Sequence, residues 1–180
     1  MTSTHAEIQA FLKDFASAGA PEIRKAGIAP FLRAPLRYYV MTPTAAKPEL
    51  GLPEFQLCKG TRMYQANCTW HDMKGHVPEG APLEDLSATA LREGIEELGL
   101  KLSNIAQLFT LGDYRFTSAT SRMEVVLWML AAEMKNADDF DAPHASTAEC
   151  AWMTLAEFQK QGRPDHAHIL GLIESTLLCK

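Results

Sequence analysis

No apolar stretch in this chain is long enough to cross a bilayer as a helix. The longest uncharged run, VVLWMLAA at 125–132, has fewer than half of the roughly 20 residues such a span needs. Cysteine is scarce: Cys58, Cys68, Cys150 and Cys179 show neither paired spacing nor a neighbouring set of zinc ligands. That excludes a disulfide framework and points to reduced thiols. Cations are in deficit, with 17 Lys and Arg against 22 Asp and Glu and a net charge of −5. A general nucleic-acid binder needs a basic surface to neutralise phosphates, so no nucleic-acid partner is expected. A small phosphorylated ligand stays open, because divalent cations can supply the missing positive charge. The opening MTSTHAEIQAFLKDFA lacks a basic segment followed by an apolar one, and the chain has no repeats or low-complexity tracts. The expectation is a cytoplasmic protein with no membrane partner and enough length for one sizeable core.

What is present is a mixture of strand-like and helix-like patterns. Ile8, Phe11, Leu12 and Phe15 fall at helical spacing over 5–17. GAPE at 19–22 and APFLRAP at 29–35 break that pattern, so residues 1–35 read as an N-terminal helical extension that packs on the main domain or supports a homodimer. Residues 36–180 read as the main domain. Within it, strands are expected at 38–43, 54–59, 104–116, 122–134 and 150–154. Helices are expected at 84–98, at TLAEFQKQ (154–161) and at 164–178, the last capped by Asp165. Residues 60–82 hold several Gly and Pro and suit a long functional loop. Strands and helices intermix, which predicts an α+β fold layered as α/β/α.

The helix at 84–98 carries the chemistry. At about 100° per residue, Leu91, Ile95 and Leu98 fall within roughly 60° of one another and form a docking stripe. Glu93, Glu96 and Glu97 gather within roughly 100°, almost opposite that stripe. A solvated polar face is the commonest meaning of helical Glu, but such faces usually interleave Lys or Arg. Here five acids accompany one base, Arg92. Like charges at this spacing repel, and the helix C-terminus at Gly99 disfavours negative charge. A bound divalent cation would reverse both effects, and hard carboxylate oxygens suit Mg²⁺ or Mn²⁺.

The order of these residues, REGIEELGL at 92–100, resembles the core of the Nudix box, Arg-Glu-apolar-any-Glu-Glu-any-Gly-apolar. Glu84 stands before Arg92 at the spacing this family uses. WHDMKGHV at 70–77 and CAWMTLAEF at 150–158 resemble further family segments. The resemblance implies a Nudix-like α/β/α sandwich with a mixed sheet. It also implies Mg²⁺-dependent hydrolysis of a pyrophosphate bond in a nucleoside diphosphate linked to another moiety, with Mn²⁺ as a second metal. On this reading Glu93, Glu96 and Glu97 hold metal, and Arg92 pairs with a carboxylate such as Glu84. Gly75, Glu84 and Gly99 support the box, and Lys74 or Arg62 binds phosphate oxygens. The general base comes from a later loop, with Glu149 the first choice and Asp138, Asp139 and Asp141 also available.

Three features depart from the family pattern. Eight residues separate Gly75 from Glu84 where the pattern has five, so PEGAPL carries an insertion or Glu79 takes part of the role of Glu84. Gly94 replaces a bulkier apolar residue, at about 1 kcal/mol of helix propensity, and marks close approach of a strand or a ligand. Met73 stands where Pro is common. Two competing readings remain. One is an isopentenyl diphosphate isomerase-like site using Cys68 and His71, whose spacing fits poorly. The other is a non-catalytic nucleotide-sensing or protein-binding module, against which retention of all three box glutamates argues.

Overall fold

The computed structural model of the protein describes residues 5–15, 22–44, 54–64, 68–69 and 83–180. The VVLWMLAA run lies in strand β7 (Glu124–Met134), and its alternation organises the molecule. Trp128, Leu130 and Ala132 face one apolar core, while Leu127, Met129 and Ala131 face another. A strand buried on both faces reads as a continuous apolar run, which is why this segment carries so little polar punctuation.

The main sheet has six strands. Its path runs β6 (Ile105–Thr117), β7, β1 (Lys25–Arg33), β2 (Leu36–Pro43) and β8 (Thr147–Met153), with β3 (Cys58–Thr61) also paired to β1. β1 and β7 are parallel and the other pairs antiparallel, so the sheet is mixed. A separate ribbon joins β4 (Met63–Tyr64) to β5 (Cys68–Thr69). On one face, α2 (Leu86–Leu98) docks Leu91, Ile95 and Leu98 against Ile28, Met41 and Trp128, with Ile8 and Leu12 from the α1 (His5–Phe11) segment in the same core. On the other, the short α3 (Leu155–Gln161) leads into α4 (Pro164–Leu178), which buries Ile169, Leu170, Ile173 and Leu177 against Phe31, Val40 and Met129. Each such side chain contributes roughly 1.5–3 kcal/mol on burial. The architecture is an α+β fold in the α/β/α arrangement. No helix among the described residues is long and apolar enough to cross a membrane.

The largest difference from the sequence expectation lies in residues 25–33. Placed within an N-terminal helical extension by their pattern, they form β1, in the interior of the sheet. Gly27 and Pro30 obscured this strand. A Cβ at Gly27 would collide with β3 backbone and with Met129 Sδ, so only glycine admits the close neighbour. Pro30 pairs with Ala132 on the β7 side, while on the other edge β3 pairs only as far as Ile28 and β2 begins at Phe31. The proline therefore sits where that ladder is already interrupted. The α1 segment, by contrast, is helical and packs on α2.

Asp165 was expected to cap α4. The N-cap is Arg163, without a side-chain cap bond. The Asp165 carboxylate, inside the first turn, accepts the His166 N–H at 3.0 Å and also receives the Arg163 guanidinium at 3.1 and 2.7 Å and the Ala119 N–H at 2.9 Å.

Candidate active site on the acidic helix

Helix α2 ends at Gly99, whose φ of +70° is the left-handed cap that favours glycine. A Cβ there would also strike the Asp141 carbonyl, so the loop after β7 closes directly over the helix end. Asp141 N–H donates to the Gly99 carbonyl at 2.7 Å and His144 N–H to the Glu96 carbonyl at 2.7 Å. On the α2 surface facing β1, a Cβ at Gly94 would lie 2.9 Å from Ile28 Cγ2. The glycine thus marks close approach of a strand.

At the other end of the box, Arg92 is the hub. Its Nε and one terminal nitrogen hold the two Glu84 oxygens at 2.9 and 3.1 Å. The other terminal nitrogen reaches Glu93 Oε1 at 2.9 Å, and the Thr61 carbonyl accepts at 2.9 Å. Glu84 also accepts from the Thr89 hydroxyl at 2.6 Å and from Met63 N–H at 3.2 Å. Burial disfavours the Arg92 charge, but hydrogen bonding and attraction from Glu84, then Glu93 and Glu96, more than offset it and raise its pKa. Glu84 is therefore a brace between loop and helix.

The three box carboxylates differ in setting. Glu93 is buried against Gly60, where a Cβ would overlap its carboxylate. Glu97 accepts from the buried Cys58 thiol at 3.7 Å. Glu96 is the outermost, with 45% of its side chain exposed, 3.6 Å from Arg92. Burial, opposed by Arg92 and reinforced by Glu97 and Glu96, pushes Glu93 up to about 7. Burial also raises Glu97, against the Cys58 hydrogen bond and the Lys59 charge. Both shifts come first from burial, which disfavours the charged carboxylate.

This donor set can be tested against a divalent ion. Carboxylate oxygens are the right class, and the crowding of Glu93, Glu96 and Glu97 is relieved by positive charge. Among the described residues, however, no three acidic, His or Cys side chains converge on one point. The fit is to an ion of the Mg²⁺ type, which retains several waters and uses one or two carboxylates, with Glu93 and Glu97 the better-held pair.

Other expected site residues are placed differently. Arg62 was expected to bind phosphate. Its side chain is buried and donates to the Glu84 carbonyl at 2.8 Å and the Ile23 carbonyl at 3.0 Å, so it braces the same loop. Glu149 is exposed on β8 and shares the face of Ala151 and Met153, opposite α2. Asp139 pairs with Lys101 at 2.9 Å. Lys74, Gly75 and Glu79 lie outside the described residues. Thr89 and Cys58 were missed: a Thr on a helix and a Cys in a strand carry no distinctive spacing, although Thr89 stands one turn after the helix start.

A NUDIX domain family model matches residues 56–172, more than half of the chain. Among solved structures, the NUDIX domain of Shewanella oneidensis NrtR, complexed with ADP ribose, superimposes with a TM-score of 0.60 at 17% identity. That match covers 97% of this chain and 99% of the other. A C. elegans Ap4A hydrolase binary complex gives a TM-score of 0.57 at 16% identity, covering 87% of this chain and 100% of the other. Shewanella oneidensis NrtR complexed with a 27mer DNA gives 0.56 at 16% identity, covering 86% of this chain and 61% of that one. No curated protein matches the chain in sequence. With the box helix, its arginine brace and the sheet in the family's arrangement, the chain belongs to the Nudix family.

Proposed function

We propose that the protein is a hydrolase that cleaves a pyrophosphate bond in a nucleoside diphosphate linked to another moiety, in a Mg²⁺-dependent reaction for which Mn²⁺ can substitute. The observation that carries this reading is the carboxylate pair, buried Glu93 and half-buried Glu97, held one turn apart over the β3 edge by Arg92 and Cys58. A carboxylate pair whose pKa values burial raises has little structural value in itself, since burying charge without a matching cation costs stability. It has value as a metal-holding device. Bound there, a divalent cation would neutralise the anionic phosphates and acidify the attacking water.

The chain's own residues have separate tasks. Glu93 and Glu97 hold metal, with Glu96 as the outer ligand. Arg92 and Glu84 fix the helix to the loop, so that the carboxylates are preorganised. Glu149, expected as the general base, lies on the sheet face opposite Glu93 and Glu97, so the base role is not assigned to it. The structural similarity to an Ap4A hydrolase and to a domain complexed with ADP ribose supports a nucleotide-derived substrate.

The similarity to NrtR complexed with DNA keeps one second reading in view, a Nudix-fold module that binds nucleotide without cleaving it. Retention of all three box glutamates favours the enzyme. An Mg²⁺-dependent assay of phosphate and nucleoside monophosphate release across dinucleoside polyphosphates, nucleotide sugars and nucleoside triphosphates separates the two. A wild type inert on the whole panel, or full activity in Glu97→Gln, overturns the hydrolase reading.

A further inference from the structure

On the sheet face opposite α2 the described residues enclose a cavity of about 130 Å³, lined in part by Lys25, Lys59, Arg163 and the hydroxyl-bearing Ser118, Thr120 and Ser121. Strand alternation puts both lysines there. Leu57 belongs to the α4-side core and Cys58 to the α2-side core, so Lys59 returns to the α4 side. Gly27 is its partner across the ladder, and Lys25, two residues before Gly27, shares that face. Arg163 is already neutralised by its fork onto Asp165. Lys25 and Lys59 have no ion pair among the described residues. Lys59 is pushed down to about 8 by burial and by repulsion from Lys25 and Arg163, which outweigh the attraction of Glu97 and Asp165.

The third wall is the tip of the β6–β7 hairpin, which is built rather than loose. Ala119 N–H is tied to Asp165 at 2.9 Å, and the Ser118 oxygen accepts from Thr120 N–H and Ser121 N–H at 3.3 Å each. Size limits the occupant. The space has room for one tetrahedral anion. In a chain of net charge −5, two facing lysines beside three hydroxyl side chains select an anionic oxygen cluster.

The cavity lies across β3 from the carboxylates, and the Lys59 and Glu97 charges attract one another through it. Cys58 touches Glu97 and Gly60 touches Glu93, while Lys59, between them in sequence, points to the other face. A substrate passing round the β3 edge would meet metal ligands on one side and the lysines on the other. We propose that this cavity binds a phosphoryl group of the substrate that is not attacked, so that preferred substrates carry a phosphate beyond the scissile pyrophosphate. The link to turnover rests on the hydrolase reading; the binding itself does not.

The test therefore has two arms. With divalent metal removed by chelator, inorganic phosphate is titrated into the full chain and followed by NMR or calorimetry. Lys25→Ala weakens binding about tenfold, the loss expected for one charge-assisted contact, and Lys25→Arg restores most of it. Thr120→Val, on the exposed tip, weakens it several-fold and guards against a misfolded lysine variant. In the second arm, the wild-type preference for adenosine tetraphosphate over ADP-ribose, as a ratio of kcat/KM, falls about tenfold in Lys25→Ala through KM. Phosphate binding that is absent, or equal in wild type and both weakening variants, overturns the proposal whatever the turnover result. An unchanged preference ratio overturns it for the substrate. Phosphate binding that passes the first arm in a chain inert on every substrate overturns the hydrolase reading instead.

Discussion

Arg92 holds Glu84 through two nitrogens at 2.9 and 3.1 Å, and the same guanidinium holds Glu93 at 2.9 Å. A single cation thus ties the loop before the helix to a box carboxylate. Only 8% of the Glu84 side chain is exposed. Arg92→Ala leaves that carboxylate buried with neutral donors alone, and breaking a buried pair in this way costs about 3 kcal/mol or more. Arg92→Lys keeps charge but not the fork and is expected to fall between wild type and Arg92→Ala. Urea unfolding of the three proteins measures the order; equal midpoints would show that the pair braces nothing.

Glu93 gives stability a pH dependence of definite sign. Its carboxyl stands at about 7 in the fold against an ordinary value of 4.5, chiefly through burial. Between those values the metal-free fold binds more protons than the unfolded chain, so this group's contribution declines as pH rises through the window. Divalent cations bind the ionised form and oppose the decline. Mg²⁺ or Mn²⁺ is expected to raise Tm more at pH 8 than at pH 5.5, and Glu93→Gln to flatten both the metal-free slope and the metal effect. A metal-induced rise of the same size in Glu93→Gln and Glu97→Gln would place the ion elsewhere.

The box helix was legible because its evidence is local. Apolar phase set the docked face, and one cation among five acids marked the other, while the pairing of Arg92 with Glu84 was what the family resemblance implied. The strands flanking the 117–123 turn were legible for the same reason, since long apolar or β-branched runs leave few alternatives. β1 was not, because Gly27 and Pro30 are turn signals in isolation. Their acceptability depends on β3, Met129 and the changeover between β3 and β2, none of which a single segment displays. Arg62 failed differently: a cation near the box suggests phosphate, and only the fold shows backbone carbonyls of Ile23 and Glu84 occupying it.

Gly94 sets two effects against each other. On helix propensity alone, Gly94→Ala gains about 1 kcal/mol. In the fold the added Cβ meets Ile28 Cγ2 at 2.9 Å and Leu100 Cδ2 at 3.1 Å. Both neighbours are buried, Ile28 on β1 itself, so overpacking of about 1–3 kcal/mol outweighs the gain. Gly94→Ala is expected to unfold at lower denaturant with an unchanged m-value. A stabilised variant would mean that β1 yields more easily than its place inside the sheet implies.

The carboxylate variants should rank by how firmly each group is held. Glu93 and Glu97 are fixed by Arg92 and Cys58, so an ion bound between them loses a preorganised ligand in either Gln variant, and turnover falls on the order of 100-fold or more. Glu96, 45% exposed, can be replaced as a ligand by water, and Glu96→Gln should lose about tenfold. Gly60→Ala extends the argument without touching a carboxylate. Its methyl group would occupy the space of the Glu93 oxygens, so the side chain must turn away. Gly60→Ala should therefore match Glu93→Gln in metal affinity while retaining every ionisable group. Titration of Mn²⁺ by paramagnetic broadening reads this directly. Wild-type affinity in Gly60→Ala would mean that the Glu93 position over β3 is not the one that holds the ion.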